Sequence, residues 1–384
     1  MRNRGKTKDR EHGPLAAGAV PAQADRMTRR SEDSLISRYF APLAGPGGLG
    51  LRDDAGIFTP KVGNDVVVTA DALAAGIHFF PDDPPASIAR KALAVNVSDL
   101  AAKGADPTGF LLTLALPEDW TDSWLAKFAQ GLGQAARDWD CPLLGGDTVK
   151  ASGGLTLSIA ALGEVPAAGM VPRTTARIGD LVCVTGTIGD AALGLTLRGL
   201  PGGAAGGLAG HESLKNSRLA DAPRGPGHAT AVNRWITALP TADSLYLIDR
   251  YLHPQPRIGL RRALREHAHA AMDVSDGLAG DLAKMLRASG VTARIEADRI
   301  PLSPAARLAL DTDPRVMDRI LTGGDDYEIL CTVAPEHVAD FQSEAHDLGL
   351  TLVVIGQVVE GTGLPVFRLG RTERRFSSGS FSHF

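Results

Sequence analysis

The stretch VVVTADALAAGIHFFPDDPPASIARKALAVNVSDLAAKGADP, residues 66–107, decides the fold because it joins a β-branched run to a long helical pattern. The run at 66–70 predicts a strand. Residues 87–103 carry apolar side chains at three- and four-residue spacing, which predicts a helix packed on a sheet. The stretch therefore predicts an α/β domain.

The same alternation extends outward from this stretch. The predicted N-terminal α/β domain spans 31–165 and also contains strands at 110–116 and 155–162 and a helix at 122–139. A second α/β domain is predicted at 166–384, with strands at 181–185, 271–274, 292–295, 329–333 and 352–355 and helices at 258–269, 277–289 and 335–348.

Two segments lack a core-forming pattern. Residues 1–30 are basic and rich in Ala, Gly and Arg, which predicts a disordered tail, with an amphipathic targeting role as the alternative. We hypothesise that translation starts at Met27. The Gly- and Pro-rich residues 199–232 predict a flexible insertion, either a plain surface loop or a lid.

Composition narrows the class of protein. The 384 residues carry a formal net charge of -4, and no basic stripe interleaves with aromatic residues, so no nucleic-acid partner is expected. Three widely spaced cysteines in apolar stretches favour reduced core thiols and a cytoplasmic location. No apolar run is long enough to predict a membrane span.

Short acidic motifs, each at a predicted strand or helix end, carry the chemistry. They are Asp53-Asp54, Asp71, Asp99, Gly145-Gly146-Asp147, Asp273-x-Ser275-Asp276 and Gly323-Gly324-Asp325-Asp326. Carboxylates are the natural ligands of Mg²⁺, which is commonly shared with substrate phosphates. Several such clusters suggest more than one metal ion.

The spacing places some of these groups together. Thr69 and Asp71 would project to one side of a strand, and Asn96 and Asp99 would share a helix face. The alternative for Asp71 is that it caps a turn at the strand end. The alternative for the helix is that its polar residues form a solvated stripe. His78 is a candidate ligand for a substrate phosphate, although a lone histidine near apolar neighbours is often structural.

Two glycine-rich motifs favour phosphate binding. The GGDT motif at 145–148 follows a predicted short strand at 142–144, and its glycines allow close backbone approach to a ligand. In DVSDGL at 273–278, Ser275 or Asp276 could cap the helix that starts near Leu278. No GxxxxGK[ST] motif is present, which excludes a P-loop kinase.

In order, the motifs DDAGIF, TADALAAGIHF, KALAVNVSDLAAKGADP, LLGGDTV, RTTARIGD, VTGTIGDAALG, HPQPRIGL, MDVSDGLAGDL and TGGDDYE resemble the thiamine-monophosphate kinase family. The resemblance covers about residues 31–384 apart from the insertion. It implies the two-domain α/β (PurM-like) fold of the aminoimidazole ribonucleotide synthetase superfamily. In that fold, N-domain strands from two subunits form a barrel, so a homodimer is expected.

The resemblance also implies roles for individual residues. The implied Mg²⁺ ligands are Asp54, Thr69, Asp71, Asp99, Asp147, Asp273 and Asp276, of which Asp99, Asp147 and Asp276 are expected to be catalytic. ATP would contact Gly146, Asp147, Arg173 and Ser275, and thiamine monophosphate would contact His78, Asp325 and Phe381. At position 325 the family often has Glu, a longer carboxylate than the Asp of this chain.

The implied reaction is in-line transfer of the γ-phosphate of ATP to thiamine monophosphate, without a covalent intermediate. Other ATP-dependent enzymes of the superfamily are the first alternative. A selenophosphate synthetase would carry a reactive cysteine early in the chain, whereas the first cysteine here is Cys141. A nucleotide-binding regulator without turnover is the alternative from another class.

Overall fold

The computed structural model describes residues 31–199 and 234–377. The predicted tail at 1–30 and Phe381 lie outside the described residues, as does the predicted insertion at 199–232 apart from Gly199. Two sheets organise the described chain, one built from residues before 167 and one from residues after 180. The fold is therefore a two-domain mixed α/β fold.

The N-terminal domain is a four-stranded sheet covered by helices on one face. Its elements are α1 (Glu32–Leu35), a π turn at Ile36–Phe40, 3₁₀ turns at Ala41–Leu43 and Pro46–Leu51, β1 (Asn64–Ala74), α2 (Pro85–Ala102), β2 (Asp106–Leu116), α3 (Asp122–Asp138), β3 (Leu143–Lys150) and β4 (Thr156–Pro166). The strand order is β1-β4-β2-β3, and only β2 and β3 run parallel. The sheet is open, with β1 and β3 at its edges.

Helix α2 lies at the centre of the protein. Fourteen of its 18 residues are buried, and seven of those are Ala or Val, whose small side chains allow close packing on several sides. The helix contacts β1 and β4 on one side and β6 (Ala268–Asp273) of the second domain on another. It therefore places its few polar side chains at the boundary between the domains.

The C-terminal domain is built on a seven-stranded sheet with the order β11-β10-β7-β9-β5-β8-β6. The strands are β5 (Leu181–Thr185), β6 (Ala268–Asp273), β7 (Thr292–Glu296), β8 (Ile329–Val333), β9 (Leu352–Val359), β10 (Val366–Leu369) and β11 (Thr372–Arg374). The helices are α4 (Asp190–Arg198), α5 (Arg234–Ala238), α6 (Thr241–Leu252), α7 (Arg261–His267), α8 (Leu278–Ser289), α9 (Pro304–Thr312), α10 (Val316–Thr322) and α11 (Val338–Asp347). Short 3₁₀ turns lie at Ile258–Leu260, Ala297–Arg299 and Pro335–His337.

The local predictions for the GGDT and DVSDGL motifs are wrong. The GGDT motif does not follow a strand at 142–144 but lies inside β3, because Gly146 lets that strand pass close to β2: a Cβ on Gly146 would lie 1.9 Å from the Leu112 carbonyl oxygen. Helix α8 does start at Leu278, but no side-chain hydrogen bond caps it at Gly277. Asp281, from within the helix, supplies the missing acceptor instead.

Candidate active site

Strand β1 and helix α2 bring the first acidic groups together. The Thr69 hydroxyl donates a 2.5 Å hydrogen bond to Oδ2 of Asp99. One turn earlier on α2, the side-chain oxygen of Asn96 accepts the backbone N–H of Asp71 at 3.1 Å. Since the Asn96 amide also donates to the Ala92 carbonyl at 3.0 Å, its orientation is fixed. Thr69 and Asp71 of the strand therefore contact Asp99 and Asn96 of the helix, which joins β1 to α2 at this point.

The second acidic group lies between β6 and α8. Asp273 ends β6 and is 5% exposed. In the loop that follows, Oδ2 of Asp281 accepts the backbone N–H groups of Ser275, Asp276 and Gly277 at 3.0, 2.9 and 3.2 Å. The ammonium group of Lys284 bridges Asp276 and Asp281 at 2.5 and 2.9 Å. Asp281 thus holds the loop so that Asp276 is presented to the domain boundary.

The carboxylates of the two domains repel one another across this boundary. Burial, with repulsion from Asp99 and Asp276, raises the pKa of Asp71 to about 6. Burial also raises the pKa of Asp99, and burial with repulsion from Asp99 raises that of Asp273 well above its usual range. Such a cluster of buried acids is stabilised by bound positive charge, and oxygen donors suit a hard divalent cation.

Two neighbouring cavities share Asp99, Asp273 and Asp276 among their lining residues. A cavity of about 230 Å³ is lined by Asp71, Asp99, Asp273, Ser275 and Asp276 together with His78, Lys91, Asp325 and Tyr327. A wider cavity of about 580 Å³ is lined by Thr69, Asp99, Asp273, Ser275 and Asp276 together with the cationic residues Lys103, Arg173 and Lys284. Carboxylates from both domains therefore separate a cation-rich cavity from one that contains Asp325.

His78 and Asp325 lie in the smaller cavity on separate loops. Nδ1 of His78 accepts the backbone N–H of Ala74 at 3.0 Å, which fixes the ring after β1. The loop with Asp325 is anchored by Asp326, whose carboxylate accepts the N–H of Gly189 at 2.8 Å. It is also anchored by the fully buried Glu328, which pairs with Arg250 and Arg257. These anchors fix the backbone on which Asp325 stands.

Three predicted site residues lie elsewhere. Asp54, Gly146 and Asp147 line a third cavity of about 650 Å³, at the β3 edge of the N-terminal sheet. Strands β4 and β2 stand between this edge and β1, which carries Asp71. Within one chain, the structure does not bring these residues to the other acids.

Several residues of the site were not identified from sequence. Lys91 and Lys103 interrupt an apolar helical pattern, and this interruption is the feature of the sequence that could have identified them as site residues. Asp281 and Lys284 lie at helical spacing after DVSDG, where acidic and basic residues commonly face solvent. Their contacts depend on the loop geometry, which no local pattern specifies.

Both domains of this chain match those of the AIR synthase related proteins. Residues 52–165 match the N-terminal domain of AIR synthase related proteins, and residues 177–367 match their C-terminal domain. Thiamine-monophosphate kinase of Caulobacter vibrioides is 36% identical over 92% of this chain and 90% of its own length. The enzyme of Escherichia coli K12 is 36% identical over 85% of this chain and 90% of its own length. The chain belongs to the thiamine-monophosphate kinase family.

Solved structures agree with this assignment. A thiamine-monophosphate kinase from Stenotrophomonas maltophilia K279a is 37% identical, covers 82% of this chain and 88% of its own, and superposes with a TM-score of 0.67. The protein AaThiL, complexed with AMPPCP and TMP, is 27% identical, covers 92% of this chain and 94% of its own, and superposes with a TM-score of 0.65.

Proposed function

We propose that this chain is an ATP-dependent kinase that converts thiamine monophosphate to thiamine diphosphate. Family membership supports the reaction, because the curated relatives carry that activity in their names. The observation that carries the mechanism is the convergence of Asp71, Asp99, Asp273 and Asp276 on one cavity, the last three of which also line the wider neighbouring cavity. Two phosphate-bearing substrates can meet across such a group of carboxylates when cations are bound there.

The donor set fits Mg²⁺. All of the converging groups offer oxygen. Burial raises the pKa of Asp71, Asp99 and Asp273, so a bound cation would favour their ionised forms. In the proposal Thr69, Asp71, Asp99, Asp273 and Asp276 hold several Mg²⁺ ions, with Asp54 and Asp147 as further ligands. When bound, these ions would neutralise charge on the reacting phosphates.

The residues that line the two cavities suggest which cavity binds which substrate. The wider one presents Arg173 and Ser275, together with Lys103 and Lys284, to the triphosphate of ATP. The smaller one presents His78 and Asp325 to thiamine monophosphate. In the proposal Gly146 also contacts ATP and Phe381 packs on the thiamine.

The chemistry requires positioning more than proton transfer. The nucleophile is a phosphate oxygen of thiamine monophosphate, which is already ionised at neutral pH, so no general base is needed. It attacks the γ-phosphorus in line while the bond from the γ-phosphorus to the bridging oxygen of ADP breaks. The protein contributes by fixing both phosphates and by compensating their charge before the reaction begins.

A homodimer would complete this site. Strand β1 is an 11-residue edge strand, and β3 is the other edge of the same open sheet. The uncovered face carries exposed apolar residues, among them Val66, Val68, Leu111 and Val149. Pairing β1 of one copy with β3 of a second copy would close a barrel and bring the edge with Asp147 beside the edge with Asp71.

The cytoplasm remains the proposed compartment. Cys141, Cys183 and Cys331 are free and buried, which suits a reducing environment. Across residues 31–199 and 234–377, none of the helices has the length and apolar character to cross a membrane.

The deciding experiment incubates the purified protein with ATP, Mg²⁺ and thiamine monophosphate, with free thiamine in a parallel reaction. Chromatography should detect thiamine diphosphate from the monophosphate only. No product in either reaction, with ATP still bound, would contradict the proposal. It would favour another enzyme of the superfamily or a nucleotide-binding regulator.

A further inference from the structure

Lys91 is a buried lysine that lines the acceptor cavity, which is the cavity of about 230 Å³ proposed to bind thiamine monophosphate. Lys91 is 3% exposed, and its Nζ lies 3.0 Å from Oδ2 of Asp325 and 4.0 Å from the ring centroid of Tyr251. Lysine is almost never fully buried unless it is paired. A carboxylate and an aromatic face together compensate for the water that this ammonium has lost.

The backbone that carries Asp325 is strained. Asp325 and Tyr327 have φ angles of 71° and 51°, in the left-handed region that non-glycine residues rarely adopt. Hydrogen bonds of 2.8 Å from their N–H groups to the Ser275 and Val274 carbonyls hold the loop in this conformation. Strained residues persist where the surrounding structure enforces them, and they concentrate at functional sites.

Both carboxylate oxygens of Asp325 have a hydrogen-bond partner, and the shorter contact is the one with Lys91. Oδ2 is held by Lys91, while Oδ1 lies 3.4 Å from the Tyr327 hydroxyl. Asp325, Lys91 and Tyr327 all line the acceptor cavity of about 230 Å³. Tyr251, 1% exposed, packs behind them in an edge contact with Phe80.

We propose that Lys91 is a positioning residue for acceptor recognition. With the Tyr251 ring as its support, it fixes the Asp325 carboxylate in one rotamer, so that Oδ1 faces the cationic thiazolium side of the acceptor. This inference rests on the proposed function. Lys91 acts through Asp325, and its ammonium group contacts the Asp325 carboxylate and the Tyr251 ring.

A purely structural ion pair is the competing explanation, and it predicts different kinetics. If Lys91 only stabilised the fold, its replacement would lower the melting temperature and leave the KM for the acceptor unchanged. A role in positioning predicts a change in the acceptor KM that disappears once Asp325 has lost its charge.

The test is a double-mutant cycle on Lys91→Met and Asp325→Asn, with steady-state kinetics at saturating ATP and Mg²⁺. Lys91→Met should raise the KM for thiamine monophosphate about tenfold, because a charge-assisted hydrogen bond no longer orients the carboxylate. The KM for ATP should change less than about twofold, since the other cavity is untouched. In the Asp325→Asn background, Lys91→Met should have almost no further effect.

Additive effects in the cycle, or equal changes in both KM values, would overturn the inference. Lys91→Arg keeps the positive charge and should keep the acceptor KM near that of the wild type. If Lys91→Met does not fold, a folded Lys91→Arg with a strongly raised acceptor KM would also overturn it.

Tyr251→Phe keeps the ring and is the matched control for Tyr251→Leu, which should raise only the acceptor KM. Wild-type protein that makes no thiamine diphosphate would refute the proposed function itself.

Discussion

The carboxylate of Asp281 accepts the backbone N–H of Asp276 at 2.9 Å, so a residue inside α8 holds the loop that precedes this helix. The same oxygen accepts two further N–H groups, and Asp281 is fully buried. The loop between β6 and α8 therefore depends on one side chain. This arrangement leaves Asp276 in contact with Lys284 at the cavity wall.

Replacing Asp281 by Leu should unfold this loop locally. Three backbone N–H groups would lose their acceptor, at a cost of about 1–3 kcal/mol for each buried group left unsatisfied. We expect a lower melting temperature and loss of turnover. Asp281→Asn keeps one acceptor oxygen and should be milder in both measurements. Equal effects of the two variants would contradict the assigned role.

Asp99→Asn and Asp147→Asn should each abolish turnover while the fold is retained. Each removes one negative charge proposed to bind Mg²⁺, and loss of one electrostatic contact typically costs about 100-fold or more in rate. Activity is measured at several Mg²⁺ concentrations, and circular dichroism checks the fold. Asp340→Asn, on the exposed face of α11, is the control. Substantial activity in both variants would refute the proposed metal ligands.

The stability of the metal-free protein should depend on the charge of Asp71. Its pKa is about 6 in the folded state and 3.8 at its ordinary value, so the folded state binds the proton more tightly. Asp71 ionisation should therefore lower stability as the pH rises from about 4 to 6, by roughly 3 kcal/mol at most. Above about pH 6 Asp71 is ionised in both the folded and the unfolded state, so its effect on stability no longer changes with pH.

The measurement compares the melting temperatures of the wild type and Asp71→Asn across this pH range in EDTA. The variant should become the more stable of the two as the pH rises, and Mg²⁺ should stabilise the wild type above pH 6 more than below it. Parallel curves for the two proteins would contradict the assigned pKa.

The open N-terminal sheet should be a dimer interface. Val68, 64% exposed on the uncovered face of β1, is expected to become buried between two copies. Val68→Asp should convert the dimer to a monomer in light scattering and should lower activity, because the edge carrying Asp147 would lose its partner. Leu348→Asp, at an exposed apolar residue of the second domain, is the matched control. A wild-type monomer with full activity would refute the interface.

Much of the fold could be predicted because its elements have strong local patterns. The strand with Thr69 and Asp71 and the helix with Asn96 and Asp99 are present, and the strand predicted at 329–333 spans Ile329–Val333. The position of the GGDT motif inside a strand could not be predicted, because glycines that permit close approach suit a strand interior as well as a turn. Asp281 was missed because its partners are backbone groups with no sequence signature.

The sequence by itself determined the family, the two domains and the oxygen-rich chemistry, because these follow from residue types, periodicity and motif order along the chain. Only the tertiary structure decided which acids meet. Asp71, Asp99, Asp273 and Asp276 share a wall because α2 packs against both β1 and β6, whereas Asp147 stands on the far edge of the sheet. Contacts between residues distant in sequence depend on sheet order and packing, which local patterns do not encode.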